Sequence, residues 1–360
     1  MADIRIGKKV IGKDKPLYFI ADIAANHDGD LHRAFKLIEM AKESGADAAK
    51  FQNFQADKIV SRKGFESLGK QLSHQAKWNK PVYEIYKDAS IPFEWTVELK
   101  DKCGQVGIEY FSSPYDFESV DLIDPYVNVY KIGSGDITWP GILEYIARKG
   151  KPVIIATGSS TMEEVEKAMA LLWYCNKNIV LMQCNTNYTG DRENFKFLNL
   201  NVLKTYAKSF PEAILGLSDH TPGHTAVLGA VALGARVFEK HFTDDTGRTG
   251  PDHKFSMDPC SWKEMVQSAN ELYSALGDGI KKIEDNERET AVVQRRSLFY
   301  ARAFEKGHII TSEDIVPLRP RFDSGISADQ IKEVIGKKLS REVQSDEFVK
   351  KEDFLNVKGK

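Results

Sequence analysis

AILGLSDH (213–220) and ARVFEKH (235–241) are the stretches that decide the fold. Each is an apolar run of strand-forming character closed by a histidine, His220 and His241, and a helix-forming or glycine-bearing segment follows. In a parallel barrel the strand bodies are consumed by packing while the loops at their C-terminal ends converge, so chemistry collects there. Two imidazoles at the ends of neighbouring strands could share one divalent metal and leave a position open for water. Taken alone, the pair could also be core histidines satisfied by backbone carbonyls.

Outward from these two runs, the same pattern recurs. Strand candidates are LYFIAD (17–22), DAAKFQ (47–52), IEYFSS (108–113), VNVYKI (127–132), PVIIAT (152–157), IVLMQC (179–184), AILGLS (213–218) and RVFEKH (236–241). Between them lie amphipathic stretches such as LHRAFKLIEMAKESG (31–45), WTVELKDKCGQVG (95–107), MEEVEKAMALLWYC (162–175) and GHTAVLGAVALGA (223–235). Several stop at glycine, as helices commonly do. Strands alternating with helices imply right-handed βαβ units, and eight of them close into a (β/α)8 TIM barrel. An open doubly wound sheet would carry a glycine-rich fingerprint after its first strand, and AANHDGD (24–30) is not one.

Ahead of the barrel, IRIGKKVIGKDKP (4–16) alternates like a β-hairpin, placed as a plug over the barrel's N-terminal mouth. The link from Asn53 to Gly107 is unusually long and carries Phe65, Trp78, Tyr83 and Tyr86; such a loop on the active face carries function unless it is a plain surface Ω-loop. The expected organisation is a barrel over 1–282, a linker helix over 283–294 and a small β domain over 295–360.

The 360 residues carry 50 Lys and Arg against 52 Asp and Glu, a balance that offers no basic surface for nucleic acid or anionic membrane. No apolar run approaches the roughly 18 residues of a membrane span, and MADIRIGKK has no apolar signal core. Cys103, Cys175, Cys184 and Cys260 are far apart, and are expected to be reduced thiols, most of them buried, in a cytoplasmic enzyme.

The barrel expectation has a test: polar residues should crowd the strand ends. They include Asp22; Lys50 and Gln52; Ser112 and Ser113; Lys131 and Ser134; Thr157; Asn185 and Tyr188; Ser218, Asp219 and His220; and Glu239, Lys240 and His241. Lys50 and Lys131 interrupt otherwise apolar runs, and a lysine inside a strand is costly unless it is paired or faces a ligand. Each alone could equally snorkel to a carboxylate. Together with hydroxyls and glycine-rich turns they describe a pocket for a small, highly charged anion such as a phosphate ester, beside a metal site. Condensation of phosphoenolpyruvate with an aldehyde, aldol cleavage and sugar-phosphate isomerisation all fit that description.

Several segments then become familiar together: IADIAANHDG, GADAAKFQ, FSSPYDFESVDLI, YKIGSGD, KPVIIATG, LGLSDHT, ALGARVFEKHFT, GPDHKFSMDP and LRPRFDSGIS. In this order they span essentially the whole chain, which resembles the sialic acid synthase family, including the pseudaminic and legionaminic acid synthases. The resemblance implies a metal-dependent barrel with a C-terminal antifreeze-like (SAF, β-clip) domain. It implies condensation of phosphoenolpyruvate with an N-acylated hexose to a nonulosonic acid, with release of phosphate. It also implies a domain-swapped homodimer in which the small domain of one chain closes the other's site.

Carried over residue by residue, the resemblance puts manganese or magnesium on His220 and His241. Lys50, Ser113, Lys131, Ser134, Asn185 and Ser218 would bind phosphoenolpyruvate. Gln52, Tyr188 and Asp252 would contact the acceptor sugar, joined by the partner's Arg319. Glu239 is the family's carboxylate between metal and substrates, and Asp22 stands where many relatives carry a glutamate working at the acceptor. Ala156 replaces a serine and Arg321 a glycine of the pattern, while WNKPVYEIYKDASIPFEW (78–95) lies nearer the pseudaminic acid synthases and GPDH (250–253) nearer the N-acetylneuraminate synthases. The competing readings are another metal-dependent TIM-barrel sugar-phosphate aldolase or isomerase, and a C-terminal module that binds ice or carbohydrate on its own account.

Overall fold

The structure, a computed structural model, describes residues 3–355; the outermost residues of the ranges expected above, 1–2 and 356–360, lie outside it. The chain divides into two compact units, Met1–Gly277 and Asp278–Lys360.

In the first unit, β1 (Ile4–Ile6) and β2 (Lys9–Ile11) form the antiparallel hairpin. Its inward face buries Ile4, Ile6 and Ile11 with the barrel core, and Lys9 pairs with Asp47 at the N-terminal mouth. Eight strands follow: β3 (Tyr18–Asp22), β4 (Ala48–Asn53), β5 (Glu109–Pro114), β6 (Tyr130–Ile132), β7 (Val153–Ala156), β8 (Ile179–Cys184), β9 (Ile214–Asp219) and β10 (Val237–His241). All neighbours pair in parallel, and β10 closes on β3, giving the barrel. Apart from Gln52 on β4 and Glu109 on β5, the strands are buried on both faces, which is why their sequences are largely apolar runs rather than alternating ones.

The helices stop where their sequences say they should. Leu31–Glu43 ends ahead of Gly45 (φ +91°), and Glu94–Val106 is capped by Gly107 (φ +73°), conformations that glycine adopts without a Cβ clash. Met162–Cys175 begins on a Thr161–Glu164 capping box. Two expectations change. Strand β6 is shorter than VNVYKI, because a 3-10 turn at Asp124–Tyr126 delays the start of its pairing to Tyr130. The link from Asn53 to Gly107 is not an irregular loop: it holds short helices Ala56–Ile59, Arg62–Ser67 and Val82–Ala89, packed on a small core of Ala56, Val60 and Val82. Of the four free cysteines only Cys103 and Cys184 are buried; Cys260 is exposed.

The second unit begins with a short helix, Arg288–Val293, and builds around β11 (Ser297–Tyr300) paired antiparallel with β12 (Ile315–Leu318). Its own core comprises residues such as Leu298, Tyr300, Ile315, Val334, Leu339 and Val349. No helix among the described residues is long and apolar enough to cross a membrane.

Candidate active site at the strand ends

Side chains alternate faces along a strand. Lys50 and Gln52 therefore leave β4 on one side, Ser218 and His220 leave the end of β9 together, and Glu239 and His241 leave β10 together. Register does the rest: Asp22 is paired with Lys50 and His241, and Glu239 with Ser218. All of the site residues predicted above except Asn185 and Arg319 line one pocket at the C-terminal end of the barrel. The intervening Asp219 and Lys240 point to the other face, where they form a fully buried ion pair of 2.5 Å that also engages Thr221.

The floor of the pocket is a charge network. Lys50 Nζ lies 2.6 Å from Asp22 Oδ2 and 3.7 Å from Glu239 Oε2, while Lys131 Nζ lies 3.3 Å from Glu239 Oε1. Ser218 Oγ donates to Glu239 Oε1 at 3.0 Å. Burial opposes charge on every one of these groups, and the partners decide the outcome. For Glu239, Lys131 and then Lys50 outweigh burial and hold the carboxyl down at about 2. For Lys50, the fields of Asp22 and Glu239 outweigh burial and hold the ammonium above its usual range. Burial prevails for Asp22, which is raised, and for Asp252, which is pushed up to about 7.

Burial also pulls His220 and His241 down to about 3, so both are neutral imidazoles, the form that binds metal. Their ring centroids are 5.4 Å apart. His220 Nδ1 lies 2.9 Å from the Asn185 carbonyl, which can only accept; Nδ1 therefore carries the proton and Nε2 keeps its lone pair. His241 Nδ1 is buried and has no hydrogen-bond partner. Asp22 and Asp252 approach His241 at 3.6 and 4.0 Å. Among the described residues no group of three or more His, Cys, Asp or Glu is set at metal-ligand spacing. The two imidazoles thus fit a metal as a pair of donors, with oxygen ligands left to substrate and water.

Four buried polar atoms of this one pocket lack a hydrogen-bond partner: His74 Nδ1, Ser113 Oγ, Glu239 Oε2 and His241 Nδ1. Buried polar groups are normally paired, and an orphan costs ~1–3 kcal/mol. A cluster of four in the lining of one cavity marks the place where a polar ligand completes the bonding.

Asn185 contributes differently from the expectation. Its side chain donates to the Phe197 carbonyl at 3.2 Å, and its own backbone carbonyl orients His220. Arg319 lies in the second unit, directly after β12. Ser134 Oγ accepts from the Gly158 amide at 2.9 Å, in a turn so tight that a Cβ at Gly158 would lie 2.4 Å from Thr186 Cγ2.

Sequence reasoning missed His74, Tyr115 and Phe255. His74 and Tyr115 line the pocket, and Phe255 packs edge-on against His241 at 4.8 Å. Tyr115 directly follows β5 and could have been found by reading two residues past Ser113; His74 lies in a segment with no periodicity to place it.

The chain matches the model of the NeuB family over residues 37–281 and that of the SAF domain over residues 295–355. It is 38% identical to the N,N'-diacetyllegionaminic acid synthase of Legionella pneumophila, over 93% of each chain. It is 33% identical to a pseudaminic acid synthase of Campylobacter jejuni, over 95% of this chain and 97% of that one. Among solved structures, the N-acetylneuraminic acid (sialic acid) synthetase of Leptospira borgpetersenii, in complex with citrate, superposes with a TM-score of 0.70 at 28% identity, covering 80% of this chain and 95% of that one.

Proposed function

This chain belongs to the NeuB family, and we propose that its barrel condenses phosphoenolpyruvate with an N-acylated hexose to give a nonulosonic acid and phosphate in a metal-dependent reaction. The observation that carries the proposal is the strand-end pocket, in which two buried ammonium groups, the neutral imidazoles of His220 and His241 and four unpartnered polar atoms converge.

The balance is one phosphoenolpyruvate, one aldehyde and one water giving one 3-deoxy-2-keto acid and one phosphate. C3 of phosphoenolpyruvate attacks the open-chain aldehyde, water adds at C2, and phosphate leaves with the former enol oxygen. Lys50 and Lys131 hold the carboxylate and phosphate of phosphoenolpyruvate through charge-assisted bonds and stabilise the negative charge on the departing phosphate. Ser113, Ser134 and Ser218 complete the anion's hydrogen bonding. In the pocket alone, Lys50 and Lys131 are already matched by Asp22 and Glu239, so an incoming anion is better accommodated once a cation joins the site. His220 and His241 would hold manganese or magnesium, which supplies Lewis-acid polarisation of the aldehyde. Gln52, Tyr188 and Asp252 orient the acceptor. Asp252, held near 7 by burial, can carry a proton at its carboxyl oxygen at neutral pH, while Glu239 stays ionised.

The rest of the reading is proposed on the strength of the family resemblance. The chain works in the cytoplasm as a domain-swapped homodimer, with the partner's Arg319 completing the acceptor site, and residues 283–294 act as the linker between barrel and SAF domain. The test is phosphate release: it should require phosphoenolpyruvate, an N-acyl hexose and a divalent metal together. Release without the sugar, or turnover of a sugar phosphate instead, would overturn the proposal.

A further inference from the structure

The proposed chemistry leaves the buried pair of Lys240 and Asp219 without a task. Both residues are 1% exposed, and Nζ lies 2.5 Å from Oδ2. Their bonding is closed on Thr221: Lys240 also donates to its carbonyl at 2.6 Å, and Asp219 accepts from its amide at 3.0 Å and its hydroxyl at 2.9 Å. A pair this deeply buried is a poor source of stability, because desolvation cancels much of the attraction and a well-packed apolar pair of similar volume often does as well or better. What a fully satisfied polar network does supply is a single fixed arrangement.

Its place in the sheet shows which arrangement it fixes. Lys240 with Asp219 is the last register pair between β10 and β9, and Cys184 with Ser218 the last between β8 and β9. His220 comes next, past the end of the ladder on both sides. His241 is better held, since it pairs with Asp22 of β3 and its carbonyl accepts from the Met257 amide at 2.8 Å. The backbone after His220 is caught from the face away from the pocket, the Thr221 amide by Asp219 and the Thr221 carbonyl by Lys240. Lys240 adjoins His241 in the chain, and Thr221 adjoins His220. The bridge therefore ties the backbones of the two imidazoles together from behind, while their rings meet in the pocket with centroids 5.4 Å apart. The bond from His220 Nδ1 to the Asn185 carbonyl sets the turn of the His220 ring, and the bridge sets where that ring starts from.

Resting on the reading of His220 and His241 as metal donors, we infer that Lys240 and Asp219 are positioning residues, whose bridge fixes the separation at which both imidazoles reach one divalent cation. Without it His220 is free to shift relative to His241, and a two-donor site becomes two separate single donors.

The test uses the full-length protein and manganese alone, by isothermal titration, with urea denaturation of each preparation. Asp219→Leu combined with Lys240→Met removes both charges at once, so neither is stranded, and its unfolding midpoint should stay near the parent's. Its manganese affinity should nevertheless fall about 10- to 100-fold, the range expected when groups that orient metal ligands are lost. A part played only in stability would leave the affinity untouched at an unchanged midpoint. Asp219→Asn keeps the shape and an acceptor for Thr221 but exchanges the charged bond for a neutral one, and should weaken manganese binding by a smaller factor, about threefold or more. Parental affinity in the folded double variant, or in Asp219→Asn if the double variant fails to fold, would overturn the inference and leave the metal reading standing. Manganese binding that survives in both His220→Ala and His241→Ala would remove the metal reading and this inference with it.

Discussion

Replacing Lys131 by methionine isolates the role of one buried ammonium group. Lys131 is 3% exposed, its stem packs in the barrel, and its Nζ faces Glu239 Oε1 at 3.3 Å. Methionine keeps the volume of the stem and deletes the charge, so packing should survive. Glu239 is not abandoned, because Lys50 lies 3.7 Å from its other oxygen and Ser218 still donates to it. The expected stability loss is therefore about 1–2 kcal/mol, below the ~3–5 kcal/mol of a buried charge left wholly unpaired. The binding loss should be larger: one charge-assisted contact to phosphoenolpyruvate is worth ~2–3 kcal/mol, or about 30- to 150-fold in Kd. Isothermal titration with phosphoenolpyruvate and urea denaturation of the same preparation measure the two separately. A folded Lys131→Met protein that binds phosphoenolpyruvate as the parent does would make the lysine structural and refute the reasoning.

Other expectations follow from the same geometry. His220→Ala and His241→Ala should each lower bound manganese and abolish activity with an unchanged circular dichroism spectrum; chelation should mimic them, and manganese or magnesium should restore the chelated parent. Lys240→Ala strands the Asp219 carboxylate, 1% exposed, with only Thr221 for company, and should cost ~3 kcal/mol in denaturant unfolding. Burial pulls His27 down to about 4, whereas the unfolded chain titrates near the ordinary 6.5. Unfolding takes up a proton in that window, so its contribution is intact above pH ~6.5 and is lost as pH falls toward 4, at up to ~1.4 kcal/mol per unit; His27→Gln should flatten the slope by that one proton. If the partner's Arg319 completes each site, inactive His220→Ala and Arg319→Ala subunits should regain activity when allowed to exchange, and no regain would assign Arg319 elsewhere.

What could be read in advance was governed by strand periodicity. Lys50 and Lys131 stood out because each interrupts an apolar run, and the histidines because each closes one. The same period of two should have separated Lys240 from Glu239 and His241, since adjacent residues leave opposite faces; Lys240 indeed pairs away from the pocket. The segment 54–89 was not legible because its helices are four to eight residues long and held by tertiary packing. His74 is placed by that packing alone. The contribution of Asn185 was hidden for a different reason: it acts on His220 through its backbone carbonyl, a group every residue has.

The central claim is that this pocket joins carbon to carbon and expels phosphate by breaking the C–O bond of phosphoenolpyruvate. Phosphoenolpyruvate labelled with heavy oxygen in the bridging enol position, incubated with an N-acyl hexose and manganese, tests it by mass spectrometry. The account predicts a nonulosonic acid and an equal amount of phosphate that carries the heavy oxygen. Unlabelled phosphate, or phosphate formed without a nonulosonic acid, would contradict it.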